Sequence, residues 1–409
     1  MKILFLTHYY LPEGNAPASR VSSLAERWVA AGHEVTVITS APNVPNGIVY
    51  PGYRNRWCQT ETIHGVKVVR VWTYIAANKG IFLRICNYVS YMFSAFWRGL
   101  RLLKPDIMIA TSPQFFCGWA GVLLHIFKRI PFLLEIRDIW PESIISVGGK
   151  MPAPLYKLLY WMDGYMCNSA NHIVTVGQGY ALKLMEKNIP ADKISIIMNG
   201  VDKKLFFPHG RNEQLLSRYN LTGKFICSYI GTVGMACGLH IAVEAAEILK
   251  KRNLNNIHIV IVGDGACRKE LEESVAQRKL DNIVFIGCRP KAEIPDWVAS
   301  SDINLVHLKK TKLFTTVMPS KIFESSGCAR PILMGVDGLA KKLVMDANAG
   351  VSIEPENAEQ LADALEKLSK DPALCETLGQ NAYKNIASKY DRDVQASDYL
   401  KILESVLNR

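Results

Sequence analysis

The strongest constraint on this chain is a rhythm. Short apolar runs recur through most of its 409 residues, each followed by a turn and then, mostly, by helical spacing. Residues 2–7 read as a strand. A polar loop containing Pro12, Gly14 and Pro17 follows. Residues 20–31 then carry Val21, Leu24, Ala25, Trp28 and Val29 on one stripe, which predicts a helix stopped by Gly32. Residues 34–39 are the next strand. Strand–loop–helix–strand is the grammar of a parallel sheet. Further strands are predicted at 66–71, 107–110, 131–136, 172–176 and 194–197.

Residues 202–223 interrupt the rhythm. It restarts with runs at 225–230, 257–262, 283–286, 303–306, 331–334 and 351–353, and ends in helices near 356–369, 373–388 and 393–408. The length exceeds the ~250–300 residues at which one core stops growing. The pattern predicts an α/β chain with a first domain over 1–203, a second over 204–388, and a terminal helix at 389–409 that packs back toward the first. Parallel sheets bind ligands at the carboxyl ends of their strands. Two such domains facing one another would make a cleft. The fold alone does not fix its chemistry.

Composition narrows the class. Hydrophobic residues make up 49% and charged residues 21%, which excludes a disordered or collagen-like chain. Ten scattered cysteines with no C-x-x-C spacing read as reduced cytosolic thiols, not a disulfide frame or zinc site. No signal-peptide pattern opens the chain. The uncharged stretch 107–127 is long enough for a bilayer, but the polar residues at 111–114 divide it into a short strand and a short helix. The net charge of +11 is uneven: residues 1–203 hold 21 Lys/Arg against 12 Asp/Glu, and residues 50–104 hold 9 against 1. An anionic partner for the first half follows.

The chemistry-bearing residues fall at strand ends. Gly14 and Asn15 follow the first strand, with Arg20 in the helix behind them. Glycine there lets a ligand approach the backbone, though an ordinary turn reads the same way. Gly231, Thr232 and Gly234 follow the run at 225–230, and the loop closes with Gly238. Gly263 and Gly265 follow 257–262, with Arg268 beyond, where a guanidinium could fork a diphosphate or merely sit on a surface helix. Pro319 and Ser320 suit a helix start, and Lys321 and Glu324 share a face. That pair is either an anion- and hydroxyl-binding set or a surface ion pair. Glu135, Arg137, Asp138 and Glu142 cluster around another strand end, where burial without pairing is costly. His8 is either a cleft residue or a surface histidine. Asp391 and Asp393 read as a helix cap. G-x-G-x-x-G, a Walker A loop, H-E-x-x-H and G-x-S-x-G are all absent from the sequence. No metal is expected.

Residues 81–104 are helical in spacing, rich in aromatics and purely basic, framed by Arg84, Arg98, Arg101 and Lys104. An interfacial helix on anionic lipid has this composition. A half-buried helix shares it, and single-stranded nucleic acid on aromatics is a third reading.

The matching pieces lie in order over about 320 residues. They are Gly14; Asn199, Gly200, Val201 and Asp202 with Phe207 and Pro208; Gly231 to Gly238; Gly263, Asp264 and Gly265 with Arg268; and Pro319 to Glu324. In this combination the chain resembles the retaining, nucleotide-sugar-dependent glycosyltransferases of family 4, with the two-domain GT-B fold. Arg137, Asp138, Ile139, Trp140, Pro141 and Glu142 resemble a subgroup that builds bacterial surface polysaccharides, including N-acetyl-fucosamine transferases.

The resemblance implies a UDP-sugar donor in the second domain. Glu324 would take the ribose hydroxyls, with Lys321, the 231–234 loop and Arg268 by the diphosphate. Gly14 and Asn15 would approach that diphosphate from the first domain, and Asp138 would lie near the transferred sugar. Lys321 and Asp138 are the expected catalytic residues. The acceptor would be a polyprenyl-diphosphate-linked saccharide of O-antigen or capsule assembly, used at the inner face of the cytoplasmic membrane. Neither a prosthetic group, a divalent metal nor a nucleic acid is implied. The pattern departs at Thr316, where many members carry glutamate, at Met235 to Cys237, where many carry a basic residue, and at Arg137 and Asp138, where many carry histidine. A nucleotide-sugar epimerase of the same fold and a non-catalytic nucleic-acid-binding module are the competing readings.

Overall fold

Burial turns the rhythm into a sheet. In β1 (Lys2–Leu6) every residue after Lys2 is buried, as a strand covered on both faces requires. The computed structural model describes residues 1–44, 47–75, 81–112, 114–146, 151–312 and 314–408, apart from the side chains of 81, 82 and 146. The chain divides into two units, one of 1–198 with 393–409 and one of 199–392.

The first unit adds β2 (Glu34–Ser40), β3 (Cys58–Ile63), β4 (Val66–Val71), β5 (Ile107–Thr111), β6 (Phe132–Ile136), β7 (His172–Thr175) and β8 (Ile194–Ile196). The order is β3-β4-β2-β1-β5-β6-β7-β8, parallel except for the β3–β4 hairpin. β3 is the strand that sequence reading missed. Its residues alternate exposed and half-buried, because it pairs on one side only and carries no apolar run. His64 and Gly65, both at positive φ, turn the hairpin.

Its helices are α1 (Ala16–Ala30), α2 (Ile81–Arg101), α3 (Phe115–Lys128), α4 (Glu142–Ser146), α5 (Ala153–Ser169) and α6 (Gln178–Glu186). Within the uncharged stretch 107–127, residues 107–111 are strand and residues from 115 on are helix, with 113 outside the described residues. Among the described residues, no helix is long and apolar enough to cross a membrane. Leu6, Tyr91, Phe115, Phe132 and Leu134 build the core on one face of the sheet. Phe5, Trp28, Val37 and Leu133 build the other.

The second unit holds β9 (Phe225–Ile230), β10 (Ile257–Val262), β11 (Ile283–Gly287), β12 (Ile303–His307), β13 (Ile332–Gly335) and β14 (Gly350–Ser352), all parallel, in the order β11-β10-β9-β12-β13-β14. Around it lie α7 (Glu213–Ser217), α8 (His240–Lys251), α9 (Arg268–Gln277), α10 (Ile294–Ala299), α11 (Lys321–Gly327), α12 (Leu339–Asp346), α13 (Ala358–Ser369) and α14 (Pro372–Ala382). The final helix, α15 (Arg392–Leu407), contributes Ala396, Tyr399 and Leu403 to the core of the first unit. Trp28 Nε1 donates to Ala396 O at 3.0 Å. Asp391 pairs with Lys203 at 2.9 Å, and Asp393 with Arg27.

Candidate active site

In the second unit, β9 lies between β10 and β12, where the order of connection reverses. Ligands of open parallel sheets bind outside the carboxyl ends at such a point. The loop after β9 runs from Gly231 through a 3-10 turn at Met235–Cys237 to Gly238, which is left-handed at φ 58°. Gly231 and Gly263 have φ of 143° and 144°, which side chains rarely adopt. A methyl group on Gly263 would collide with the Gly231 carbonyl, and one on Gly231 would collide with Lys321 Nζ. Val233 N donates to Asp264 O at 3.0 Å, and Cys267 N to Val233 O at 3.0 Å. The two glycine loops are one packed layer, and Lys321 rests on it.

Lys321 Nζ lies 4.8 Å from the centroid of the Tyr229 ring. Tyr229 Oη donates to Thr232 O at 2.8 Å, which ties the ring to the loop. Burial pulls the Lys321 ammonium below the ordinary lysine range, while Cys237 and Glu324 pull the other way. Glu324 is half-buried in the first turn of α11, one turn from Lys321. The two therefore share a face. The Ser320 hydroxyl, read as a helix start, makes no capping bond. Gly234 would accept a methyl group at ordinary contact, 3.7 Å from Thr232. Arg268 opens α9, but its guanidinium is engaged: Nε lies 2.8 Å from Glu272 and Nη1 3.5 Å from Asp264. Reaching a diphosphate means exchanging those partners.

His307, which sequence reading passed over, holds this loop. Its Nδ1 lies 2.7 Å from Cys237 O, and its Nε2 accepts from Glu356 N at 2.9 Å. Nδ1 must therefore carry the proton. Burial keeps the ring's pKa below the usual histidine value. The ring supports the Met235–Cys237 turn. Thr316 lies in a separate turn at Phe314–Thr316.

In the first unit, β1 lies between β2 and β5 at the corresponding reversal. A methyl group on Gly14 would meet nothing within 4 Å. Packing within the chain does not require glycine there. Asn15 caps α1, its Oδ1 accepting from Ala18 N at 2.9 Å. The reading of Arg20 as a ligand contact does not fit its position. Arg20 is buried, with Nε 3.3 Å from Glu135 and hydrogen bonds to Ile197 O at 2.9 Å and Met198 O at 3.1 Å. It is an internal tie. His8 is neither a surface nor an open residue. It is buried among Tyr9, Tyr88 and Tyr91, and burial pulls its pKa down to about 3.

Asp138 follows β6. Burial raises its carboxyl to about 6, against hydrogen bonds from Ile139 N and Ser143 that favour the charged form. Glu142, four residues on, has a structural partner. Lys187 Nζ lies 3.1 Å from Glu142, 2.8 Å from Asp163 and 2.7 Å from Trp140 O. This cluster fixes the segment after β6 against α5.

α2 is both half-buried and apolar outward. Tyr91, Ala95 and Phe96 enter the core, while Leu83, Ile85, Phe93 and Trp97 are exposed. Arg84 donates to Tyr88 Oη at 3.1 Å. Arg98 is partly buried, and Arg101 and Lys104 are exposed. α5 adds exposed Leu155, Leu158, Trp161 and Tyr165, which the sequence did not single out. Among the described residues, no cluster of three or more His, Cys, Asp or Glu could hold a metal ion.

Comparison with known proteins gives the class of the chain. Residues 15–200 match a Glycosyl transferase 4-like domain, and residues 213–385 match Glycosyl transferases group 1. WcaI of Escherichia coli (strain K12), a glycosyl transferase named for colanic acid biosynthesis, is 26% identical over 88% of this chain and 90% of its own. CapM of Staphylococcus aureus, a capsular polysaccharide biosynthesis glycosyltransferase, is 21% identical over 71% of this chain and 74% of its own. The structure of HepE from Anabaena in complex with UDP-glucose superposes with a TM-score of 0.74, at 17% identity over 99% of this chain and 100% of that one. The fold is GT-B: two Rossmann-like parallel-sheet units with C-terminal helices. The chain is a GT-B glycosyltransferase, related to enzymes of bacterial surface-polysaccharide biosynthesis. The epimerase and nucleic-acid-binding readings give way to it.

Proposed function

We propose that the protein is a metal-independent, retaining transferase. It moves a sugar from a UDP-sugar to a polyprenyl-diphosphate-linked saccharide in bacterial O-antigen or capsule assembly. The sugar we propose is an N-acetylated amino sugar such as N-acetyl-L-fucosamine. The carrying observation is Lys321, an ammonium that forms no ion pair among the described residues, lying on two glycine loops at the carboxyl ends of β9 and β10. HepE, of the same fold, is described with UDP-glucose.

In this reading Lys321 and the loop N–H groups hold the donor diphosphate, Glu324 takes the ribose hydroxyls, and Arg268 leaves Glu272 to join them. The bond from the anomeric carbon to the phosphate oxygen breaks, and UDP departs with the electron pair. The acceptor oxygen bonds to the same face of the sugar, and its proton passes to the departing phosphate. Fixed cations stabilise the charge on UDP. Asp138 orients a hydroxyl and is not a nucleophile, so the paired carboxylates of a glycosidase are not needed. Gly14 and Asn15 line a donor approach in the first unit.

The acceptor lipid calls for a membrane surface. The outward aromatics of α2 with Arg84, Arg98, Arg101 and Lys104, joined by those of α5, suit peripheral attachment to the anionic inner face of the cytoplasmic membrane. A thermal-shift panel of UDP, GDP, ADP and their sugar conjugates, with and without magnesium, tests the donor. A UDP-selective shift, indifferent to magnesium and lost in Glu324→Ala, is expected. No shift with any nucleotide, or an inverted product anomer, would refute the reading.

A further inference from the structure

Arg137 is a cation of the first unit that no hydrogen bond among the described residues explains: two of its guanidinium nitrogens are left over, against one in Arg98 of α2. Its Nε and Nη1 are sealed from solvent and have no hydrogen-bond partner among the described residues. An unpaired buried guanidinium is costly, and native proteins seldom keep one without use. The nearby acid does not relieve it. Glu135 is the one carboxylate whose attraction favours the Arg137 charge. That carboxylate is already held by Arg20 through Oε2 and by the Thr111 hydroxyl through Oε1 at 3.0 Å. Two guanidiniums thus share one carboxylate. Arg20 repels the Arg137 charge, and Tyr180 and Tyr399, which also act on it, are both pushed above the usual phenol range by burial and so neutral. Burial pulls the Arg137 pKa down to about 10, which leaves it charged at neutral pH.

Its place is suited to a ligand. Arg137 follows β6 directly, at the carboxyl edge of the sheet, and the residue as a whole is only partly buried. β6 lies two strands from β1, whose following loop contains the unfilled space at Gly14. Two strand spacings are about 10 Å.

We propose that Arg137 binds a phosphoryl oxyanion of the substrate in the first unit, namely the diphosphate of the lipid-linked acceptor. This rests on the transferase reading above. The missing negative charge is supplied when the acceptor arrives, and a charge-assisted hydrogen bond from the guanidinium to a phosphate oxygen is among the strong ones. The site is separate from Lys321, which serves the donor.

Calorimetry separates the two. Inorganic pyrophosphate and UDP are titrated into the wild type, Arg137→Gln, Lys321→Met and the double variant. Pyrophosphate binding should persist in Lys321→Met and vanish in the double variant, while Arg137→Gln keeps UDP binding. In kinetics, Arg137→Gln should raise the KM for the prenyl-diphosphate acceptor tenfold or more, leave the donor KM unchanged, and be partly rescued by Arg137→Lys. Arg137→Met should melt no lower than the wild type without ligand, because it removes an unpaired buried charge. Unchanged pyrophosphate binding and acceptor KM in Arg137→Gln would overturn the proposal. So would a rise in donor KM alone, or a lower melting temperature with binding intact. If UDP binds none of these proteins, the transferase reading fails while the pyrophosphate titration still judges Arg137.

Discussion

Lys321 Nζ stands 4.8 Å from the centroid of the Tyr229 ring, and Glu324 favours its charge without an ion pair among the described residues. Tyr229 belongs to β9 and Lys321 opens α11, so the sheet end itself presents the charge. Replacing Lys321 by Met should lower kcat/KM by about 10²–10³-fold, the scale of losing one preorganised stabiliser of developing charge. Its melting temperature should not fall, because a desolvated cation is removed. Steady-state kinetics beside thermal melting checks both. A large stability loss would make Lys321 a structural residue.

The glycines divide by what surrounds them. Gly263→Ala should cost about 3 kcal/mol or more, since its methyl collides with the Gly231 carbonyl at a φ of 144°. Gly14→Ala should leave denaturant stability within about 0.5 kcal/mol, because the site is open. If a ligand passes Gly14, its kcat/KM still falls. A Gly14→Ala enzyme of normal stability and normal activity would remove Gly14 from the site.

The placement of the glycine loops at strand ends, and of Lys321 and Glu324 on one helical turn, was legible in the sequence because each is a local matter. The surroundings of Arg20, Arg137 and Lys187 were not. Arg20 meets Ile197 and Glu135, and Lys187 meets Asp163 and Glu142, across separations that only the folded sheet closes. β3 escaped for a different reason: an edge strand buries little, so its polar sequence carries no apolar run. His8 illustrates the limit of residue type, since a polar side chain at a strand end was buried by three tyrosines contributed from its own loop and from α2.

Asp138 should make stability depend on pH. Its carboxyl is raised from 3.8 to about 6, so between those values the folded state binds more protons than the unfolded state. Its contribution is therefore fully present below about pH 4 and lost as pH rises through 6. The difference amounts to roughly 3 kcal/mol. Asp138→Asn should be more stable than the wild type at pH 7.5, with the gap closing by pH 4. Ser143, Glu142 and Tyr180 face the same carboxyl and remain in both proteins. Chemical denaturation of the pair across that range reads the gap directly, and a constant gap would contradict it.

Lys187 holds two acids at once. Lys187→Met should cost about 3–5 kcal/mol, because Asp163 is left buried without a counter-charge. Adding Asp163→Leu should recover most of that loss. Equal losses in the single and double variants would mean that the packing of the lysine stem, and not its charge, supports α5.

Membrane attachment can be separated from folding, because the relevant side chains are exposed. Phe93 and Trp97 point outward from α2, with Arg101 and Lys104 also exposed. Each basic residue near an anionic surface contributes about 1 kcal/mol, or about fivefold in binding. Arg101→Glu with Lys104→Glu should therefore weaken flotation on vesicles containing anionic lipid by 25-fold or more, by about these values, and added salt should erase the difference. Phe93→Ser with Trp97→Ser should weaken binding at every salt concentration, since apolar insertion is not screened. Both pairs should melt like the wild type and keep turnover on a soluble short-chain acceptor. If vesicle binding survives both pairs, α2 is not the membrane contact, and the exposed Leu158, Trp161 and Tyr165 of α5 are the next surface to change.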